Sequence, residues 1–326
     1  MIYGKITLED WRTACVEGEE PESSFESYNL RLFFFGTLYN RDTLQATPDD
    51  TNAKLAADAF LSDPAYGFSR LDGSFTIVYY SENECGVVRD HHGTHYPVYC
   101  HIDGNFATSW QFLEDQLEEN FEPNLVSLST FLQRGILKKN NFALFDVHSL
   151  GAGEKFYMLT ELGYLMPVWA SVKLETQANV HSMFDSLKER NPGLYEKVAD
   201  DIYCLKRDSV FEHEPKVATE RNPDVEAYSR RYGELHAQAI RRRIGDSRKV
   251  GILLSGGYDS GSNLAALRSI YDGQIDSYSV GFKGDAWTEL PMARLMSETF
   301  GTRHHEYEID GTETSALPDI VRFLGE

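Results

Sequence analysis

The sequence predicts two domains, a layered α+β domain followed by an α/β domain with a parallel sheet. Three observations lead to this fold class. The chain has 326 residues, which is longer than a domain built on a single hydrophobic core usually is. Residues 1–169 alternate short aromatic and β-branched runs with turn residues, whereas residues 223–326 alternate helical and strand patterns at short spacing. We expect a connector with local helices between them, at residues 170–222.

The first domain is predicted from short strand patterns separated by hairpin turns at residues 81–84 and 103–105. Two helical patterns would cover its sheets, at residues 51–61 and 125–134, and Gly135 is a suitable stop for the second. The predicted strands are residues 30–35, 74–80, 86–89, 95–100, 105–109 and 155–160.

The second domain is predicted from a regular helix–strand alternation, which favours a doubly wound parallel sheet. Pro291 near the start of one helix and Gly301 just past its end are normal helix punctuation. In the connector, residues 178–189 and 194–205 have amphipathic helical patterns. The predicted helices of the second domain are residues 224–243, 261–271 and 290–300, and its predicted strands are residues 250–254, 275–282 and 305–309.

Charge and cysteine usage argue against several classes of protein. Lys and Arg number 31 against 51 Asp and Glu, which gives a net charge of −20. Nucleic-acid phosphates and anionic membrane surfaces would both repel such a chain. The four cysteines form no C-x-x-C pair, and no apolar run reaches the roughly 18 residues that cross a bilayer. We therefore expect a soluble, reduced, cytoplasmic protein that binds neither nucleic acid nor membrane.

The segment Ser255-Gly-Gly-Tyr-Asp-Ser260 carries the strongest functional signal, because it joins an apolar strand to a helix. Gly256 and Gly257 allow a sharp bend and a close approach to an anion, and the free amides of the following helix favour negative charge. The two serine hydroxyls can donate to phosphate oxygens. Asp259 would repel a bare phosphate, so it suits a Mg²⁺ ligand.

The competing interpretation of this segment is a glycine-rich turn in which Asp259 or Ser260 caps the helix. Capping explains one polar residue, but not two serines, two glycines and an aspartate together after an apolar strand. No lysine follows the glycines, so the segment is not a G-x-x-x-x-G-K-[ST] loop. A nucleotide-phosphate site is therefore the favoured hypothesis.

The segment resembles the loop of the PP-loop ATP-pyrophosphatases, and in particular the S-G-G-x-D-S loop of the asparagine synthetase family. The resemblance implies an ATP- and Mg²⁺-dependent enzyme that activates a carboxylate as an acyl-adenylate, which an amine then attacks. The resemblance does not identify a catalytic residue in this chain. The implied binding residues are Ser255, Gly256, Gly257 and Ser260 for pyrophosphate and Asp259 for Mg²⁺. Around adenine they are the backbone of Ser279, Val280 and Gly281 on one side, and Leu253 and Leu254 on the other.

Upstream motifs resemble the glutaminase domain of the same family, which implies an Ntn-hydrolase-like αββα sandwich for residues 1–169. These motifs lie at residues 35–41, 71–75 and 89–99. The downstream stretches 287–294 and 301–306 resemble the family's helix and strand after the loop. The fold class implied by the resemblance is thus this sandwich followed by a Rossmann-like PP-loop domain.

The glutaminase motifs depart from the family at the residues that perform its chemistry. Ile2 stands where the family has a cysteine directly after Met1, and Phe35 stands where it has an oxyanion-binding asparagine. Thr37 replaces the glutamate of the same motif. We therefore expect no ammonia production from glutamine. β-Lactam synthetases and lasso-peptide cyclases depart from the family in this way and form an internal amide.

A second departure is that nothing after residues 305–309 resembles the family's second acidic Mg²⁺ loop. We therefore expect a C-terminally incomplete domain that needs its missing half or a second polypeptide, and pairing with a second copy of the chain stays open. The expected substrates are a carboxylate and an amine on a small molecule or peptide. Two alternatives stay open: an asparagine-type synthetase that uses free ammonia, and a non-catalytic scaffold subunit.

Overall fold

The computed structural model describes residues 1–7, 11–64, 66–101, 104–116, 147–159, 170–171, 204–209, 224–284 and 288–324, with four positions between 125 and 133. Contacts within the chain divide it into two units. One comprises Met1–Pro215 with Arg322–Glu326, and the other Lys216–Val321. Each is described by itself.

In the part of the first unit that the structure describes, twelve strands and two α-helices have defined bounds. Helix α1 begins after Thr51, whose side chain accepts a hydrogen bond from the backbone N–H of Lys54. The helices are α1, Asn52–Ser62, and α2, Trp110–Gln116. The strands are β1 Ile2–Lys5, β2 Val16–Gly18, β3 Ser23–Glu26, β4 Leu30–Leu38, β5 Gly73–Ser81, β6 Glu84–Arg89, β7 Tyr99–His101, β8 Asn105–Ala107, β9 Val147–Ser149, β10 Glu154–Leu159, β11 Ala170–Ser171 and β12 Cys204–Ser209.

These strands form two sheets. The five-stranded sheet has the order β2-β1-β8-β7-β9, and the seven-stranded sheet has the order β11-β12-β10-β6-β5-β4-β3. All neighbouring strands are antiparallel except β11 and β12.

Strand alternation builds four layers from these elements, because successive side chains of a strand point to opposite faces. Phe35, Val78 and Tyr80 of the larger sheet share a buried cluster with Ile2 and Phe106 of the smaller one. The neighbouring residues of β4 and β5 pack against α1 on the outer face of the larger sheet. Leu113 of α2 packs on the outer face of the smaller sheet. The layers are therefore helix, sheet, sheet and helix, as the sequence predicted.

Most predicted strands of the first unit are confirmed to within a few residues, but the strand predicted at 95–100 is wrong over most of its length. Only Tyr99–His101 is extended there. The buried carboxylate of Asp90 accepts backbone hydrogen bonds from His92, Thr94 and His95 at 2.9–3.0 Å, and these hold the segment in a turn. The helix predicted at 125–134 lies largely outside the described residues.

The expected connector at 170–222 contains two strands of the first unit. Strand β12 pairs with β10 from Cys204 to Ser209, and β11 pairs with β12. Cys204 and Leu205 are therefore extended, which contradicts the end of the helix predicted at 194–205. The helix predicted at 178–189 lies outside the described residues. Since the first unit extends to Pro215, the sheet continues well beyond the expected boundary at residue 169.

The second unit is built around a three-stranded parallel sheet with the order β13-β14-β15. Buried residues of its first two strands pack with α3, α4 and α5 in one cluster, so these three helices share one face of the sheet. The strands are β13 Val250–Leu253, β14 Ile275–Phe282 and β15 Arg303–Ile309. The helices are α3 Val225–Ile244, α4 Tyr258–Ile270 and α5 Leu290–Phe300, followed by a 3-10 turn at Thr312–Ala316 and by α6, Leu317–Leu324, of which the residues up to Val321 belong to this unit.

The predicted alternation of the second unit is confirmed, and β14 and α5 have the predicted bounds. Helix α4 differs, because it begins at Tyr258 and not at residue 261. The backbone N–H of Gly261 donates to the Gly257 carbonyl at 3.0 Å, so the Tyr-Asp-Ser of the loop motif already forms the first helical turn.

Among the helices in the described part of the chain, none combines the length and the apolar character needed to cross a bilayer.

Candidate functional site

The candidate site is the loop at the carboxyl end of β13, where ligands commonly bind in open α/β sheets. Two hydrogen bonds join its first residue, Leu254, to β14. The Leu254 N–H donates to the Tyr278 carbonyl at 2.8 Å, and the Ser279 hydroxyl donates to the Leu254 carbonyl. The start of the loop is therefore fixed relative to the neighbouring strand.

A glycine is needed at position 256 for two reasons, its backbone conformation and its close contact with α5. Its φ is +90°, a region that L side chains rarely adopt. A Cβ built on Gly256 would lie 2.7 Å from the Glu289 carbonyl oxygen and 3.2 Å from the Ala293 nitrogen. The beginning of α5 therefore abuts the loop, and this glycine serves the packing of α5 against the loop.

Gly257 leaves open space on the side of the loop that leads into α4. A Cβ there would meet only the Ser255 hydroxyl, at 3.4 Å. Gly257 is the N-cap residue of α4, and no side chain forms a capping hydrogen bond. First-turn amides of an uncapped helix bind anions well, because their N–H groups have no partner within the helix and the helix dipole favours negative charge.

The capping interpretation of the loop is not supported by this geometry. Asp259 and Ser260 are the second and third residues of α4, and neither side chain caps it. The Asp259 side chain is exposed in the first turn of the helix. The loop therefore leaves this carboxylate available at the anion-binding end of α4.

The two serine hydroxyls hold the loop together in this conformation. The Ser260 hydroxyl donates to the Gly257 carbonyl at 3.2 Å, and it accepts from the Ser255 N–H at 3.2 Å. The Ser255 hydroxyl accepts from the Gly257 N–H at 3.2 Å and lies 3.0 Å from the Ser260 hydroxyl. Ser255 is exposed and Ser260 is half-buried, so Ser255 is the better placed of the two to contact a phosphate.

Asp259 fits a magnesium site of the kind that nucleotides complete. Within the described residues, no three His, Cys, Asp or Glu side chains lie close enough to form a metal site on their own. Mg²⁺ in nucleotide sites takes one or two carboxylates and fills its other positions with phosphate oxygens and water. A single exposed carboxylate beside an anion-binding helix end suits that donor set.

The residues expected around adenine have different environments. Leu254 is only 1% exposed and belongs to the core beneath the sheet, so its side chain does not line the site. The Ser279 side chain is buried, and its hydroxyl donates to the Leu254 carbonyl. Gly281 packs against Leu290 of α5. Leu253, 79% exposed, and Val280, 63% exposed, are the members whose side chains are open to solvent.

Two features of the loop's surroundings were not foreseen from the sequence. Glu289 begins α5 directly against Gly256. Tyr258, the variable residue of the motif, is 95% exposed at the start of α4. Pro291 signalled the beginning of a helix, but no local pattern places that beginning next to the loop.

Two residues that the resemblance places at the glutaminase positions are part of the first unit's core. Ile2 is fully buried and Phe35 is 2% exposed, and both belong to the cluster between the two sheets. The Ile2 N–H donates to the Thr108 hydroxyl at 2.9 Å. Thr37 is exposed on the same strand as Phe35. Packed hydrocarbon therefore stands at the two positions that the resemblance implies for a nucleophile and an oxyanion donor.

The terminal ammonium group of Met1 forms an ion pair. The Met1 nitrogen lies 3.1 Å from a carboxylate oxygen of Glu19, and the Tyr96 hydroxyl donates to the same oxygen at 3.0 Å. The hydrogen bond from the ammonium group lowers the pKa of Glu19. The Met1 nitrogen is therefore held in an ion pair with Glu19.

Sequence comparisons match the second unit. A profile of the asparagine synthase family matches residues 231–326. A putative glutamine-hydrolysing asparagine synthetase of Mycobacterium tuberculosis is 31% identical over 100 residues, covering 29% of this chain and 15% of that protein. Its counterpart in Methanocaldococcus jannaschii is 33% identical over 87 residues, covering 26% of this chain and 17% of that protein. A probable asparagine synthetase of Acanthamoeba polyphaga mimivirus is 30% identical over 106 residues, covering 31% and 19%.

A parallel sheet with a glycine-rich, anion-binding loop at the end of its first strand defines a class of ligand-binding α/β domains. Within that class, residues 231–326 are similar to the asparagine synthase family. The matched region spans less than a fifth of each of these relatives.

The solved structures that resemble the chain do so weakly. The glutamine phosphoribosylpyrophosphate amidotransferase of B. subtilis, complexed with ADP and GMP, aligns with 88% of this chain and 47% of its own. The TM-score is 0.30 and the sequence identity 13%.

Proposed function

We propose that this protein is an ATP-dependent, AMP-forming amide synthetase whose first unit no longer releases ammonia from glutamine. The observation that carries the proposal is the Ser255–Ser260 loop, with its uncapped helix end, its exposed carboxylate and its place at the end of a parallel strand. The family of residues 231–326 supports ATP as the energy source.

In the proposed reaction, a carboxylate oxygen attacks the α-phosphorus of ATP, and the bond from that phosphorus to the pyrophosphate oxygen breaks. An amine then attacks the carbonyl carbon, loses a proton, and AMP leaves with the carboxylate oxygen. The first-turn amides of α4 and the Ser255 hydroxyl would hold the pyrophosphate group. Asp259 would hold Mg²⁺, whose charge offsets the phosphate charge.

The amine is proposed to come from a substrate and not from glutamine. Ile2 and Phe35 offer neither a nucleophile nor a hydrogen-bond donor, and Glu19 pairs the terminal amine. An intramolecular amide, such as a macrolactam, would need no ammonia. Free ammonia would serve an asparagine-type reaction at the same loop, and trapping of the product distinguishes the two.

The proposal is tested by exchange of labelled pyrophosphate into ATP across a panel of carboxylates. We would compare residues 1–326 alone with a fused protein, in which this chain is joined to the part of the M. tuberculosis relative that follows its matched 100 residues. We expect carboxylate-dependent exchange in the fused protein, its loss in the Asp259→Asn variant, and none with the 326-residue chain alone. Formation of ADP in place of AMP would contradict the proposal.

A further inference from the structure

Helix α5 contacts the candidate loop and the first turn of α4 at two glycines. A Cβ built on Gly256 would lie 2.7 Å from the Glu289 carbonyl oxygen, and one built on Gly261 would lie 2.9 Å from the terminal methyl carbon of Met296. The Gly261 N–H also donates to the Gly257 carbonyl at 3.0 Å and closes the first turn of α4. The position of α5 therefore limits the conformations open to the loop on both sides of the helix start.

An ion pair with two parallel hydrogen bonds anchors α5 to strand β15. The Arg294 Nε donates to Glu306 Oε1 at 2.6 Å, and Arg294 Nη2 donates to Oε2 at 2.7 Å. The hydrogen bonds from Arg294 lower the pKa of Glu306. Exposed ion pairs contribute little as a rule, but a bidentate pair fixes direction as well as distance. This pair therefore sets the orientation of α5 on the sheet.

Buried side chains connect the same ion pair to a second point on α5. His304 Nε2 lies 3.2 Å from Glu306 Oε1, and His304 Nδ1 lies 2.8 Å from the Ser277 hydroxyl. The Thr302 hydroxyl lies 2.7 Å from that of Ser277 and 2.6 Å from that of Ser297 on α5. The contacts therefore leave α5 at the guanidinium group and return to it at Ser297. Polar networks of this kind are worth more than the sum of their pairs.

The ion pair also lies beside the strand that holds the start of the loop. Glu306 lies opposite Ser279 in the pairing of β15 with β14. The Ser279 hydroxyl donates to the Leu254 carbonyl at the beginning of the loop. The loop is thus supported by β14 at its start and by α5 along its length.

We propose that Arg294 and Glu306 are positioning residues for the nucleotide. Their ion pair holds α5 in place, and α5 holds the loop in the conformation that leaves the first-turn amides of α4 open to phosphate. Donors to an anion act best when they are already oriented before it binds, and surrounding residues supply that order. This inference rests on the proposed function.

A matched control is available on the same sheet. Arg303 forms an equivalent two-bond pair with Asp276, but neither residue belongs to α5. The side chains of Arg294 and Arg303 are 53% and 66% exposed, so their environments are similar. Titration of ATP with Mg²⁺ into the 326-residue chain would compare wild type, Arg294→Met, Glu306→Gln and Arg303→Met.

The two sides of the ion pair separate positioning from direct attraction between charges. Arg294→Met removes a positive charge and Glu306→Gln removes a negative one, so a purely electrostatic effect on bound ATP would have opposite signs in the two variants. A positioning role predicts weaker binding in both. We expect the affinity to fall at least about fivefold in Arg294→Met and in Glu306→Gln, and less than about twofold in Arg303→Met.

Hydrogen exchange without nucleotide provides a readout that is specific to the loop. The Gly261 amide should exchange faster in Arg294→Met and Glu306→Gln than in wild type, whereas the amides of β13 and β14 should keep their rates. Loss of stability throughout the unit would raise all of these rates together. Arg303→Met should leave the Gly261 rate unchanged.

Equal losses of affinity in Arg294→Met and Arg303→Met would overturn the proposal, as would tighter binding by Glu306→Gln. Unchanged exchange at Gly261 in both α5-side variants would overturn it even if ATP binds to the wild type, and the proposed function would then stand without it. Faster exchange at Gly261 with no ATP binding by any of the four proteins would retain the support of the loop by α5 and reject the nucleotide site.

Discussion

Individual residues at the loop have roles that differ from those their type suggests. Glycine in a phosphate loop is expected to make room for the anion, yet Gly256 makes room for the Glu289 carbonyl of α5. Leu254 is a core residue and not a wall of the adenine site. The proposed function therefore assigns the chemical roles to Ser255, Gly257 and Asp259, which lie at the start of α4.

Gly256→Ala should weaken nucleotide binding and destabilise the second unit. The new Cβ would meet a carbonyl oxygen at 2.7 Å while the backbone holds a φ of +90°. Strain of this kind costs about 1–3 kcal/mol. Gly233→Ala in α3 is the control, because nothing lies within 4 Å of its Cβ, and it should raise stability by about 0.5–1 kcal/mol. Urea unfolding of both variants checks the pair, and equal stability would contradict the packing role.

Because His95 is held in its neutral form, the first unit should become less stable in mild acid. Burial lowers the pKa of His95, so the folded state holds it neutral beside Thr76. As the pH falls below about 6.5, the unfolded chain takes up the proton first, and stability decreases until the lower folded pKa is reached. Burial also lowers the pKa of His91, which adds to the same trend.

The measurement for His95 is hydrogen exchange of the β4–β6 amides between pH 7 and pH 5, corrected for intrinsic exchange. His95→Gln should reduce the pH dependence of protection, whereas His236→Gln in the second unit should leave it unchanged. An unaltered pH dependence in His95→Gln would show that this histidine does not control it.

At the scale of elements, the first unit relies on a buried ion pair between neighbouring strands. Lys155 of β10 lies 2.8 Å from Glu84 of β6, with side-chain exposures of 4% and 11%. Tyr79 of β5 donates its hydroxyl to the same carboxylate, and burial raises the pKa of Tyr79, so that it remains a donor. The three strands are therefore linked through one carboxylate.

Lys155→Met should destabilise the first unit by about 3–5 kcal/mol, because it leaves the Glu84 carboxylate buried without its cation. Adding Glu84→Gln should recover part of the loss, since a neutral amide can still accept from Tyr79. Arg231→Met, which removes an exposed ion pair with Glu234, should cost about 1 kcal/mol or less. Chemical unfolding of the variants checks this order, and a similar cost for Lys155→Met and Arg231→Met would contradict it.

The elements that sequence reasoning placed well are those with strong local patterns. Strand β14 alternates buried and open residues along its length, and α5 carries Pro291 and Gly301 at its ends. Strands β1, β2 and β3 were missed, because three or four residues give too little periodicity. The contact of α5 with the loop and the burial of Leu254 arise only when distant segments pack together, so no local pattern could reveal them.

For the whole molecule, the proposed function assigns different chemistry to the two units. The first unit has four layers, and Ile2 and Phe35 of its core stand at the positions that the resemblance assigns to glutaminase chemistry. The second retains a loop whose geometry suits a magnesium nucleotide. We therefore expect no release of glutamate when the purified protein is incubated with glutamine. Release that follows the protein through purification would contradict this expectation.

The most direct test of the central claim is titration of ATP with Mg²⁺ into the wild-type chain, Asp259→Asn and Asp272→Asn. Asp272 is an exposed aspartate beyond the other end of α4, so it controls for loss of one negative charge. We expect wild type and Asp272→Asn to bind alike, and Asp259→Asn to bind at least about tenfold more weakly, a difference of about 1.4 kcal/mol. Equal affinity of all three proteins would show that this loop does not hold the magnesium nucleotide.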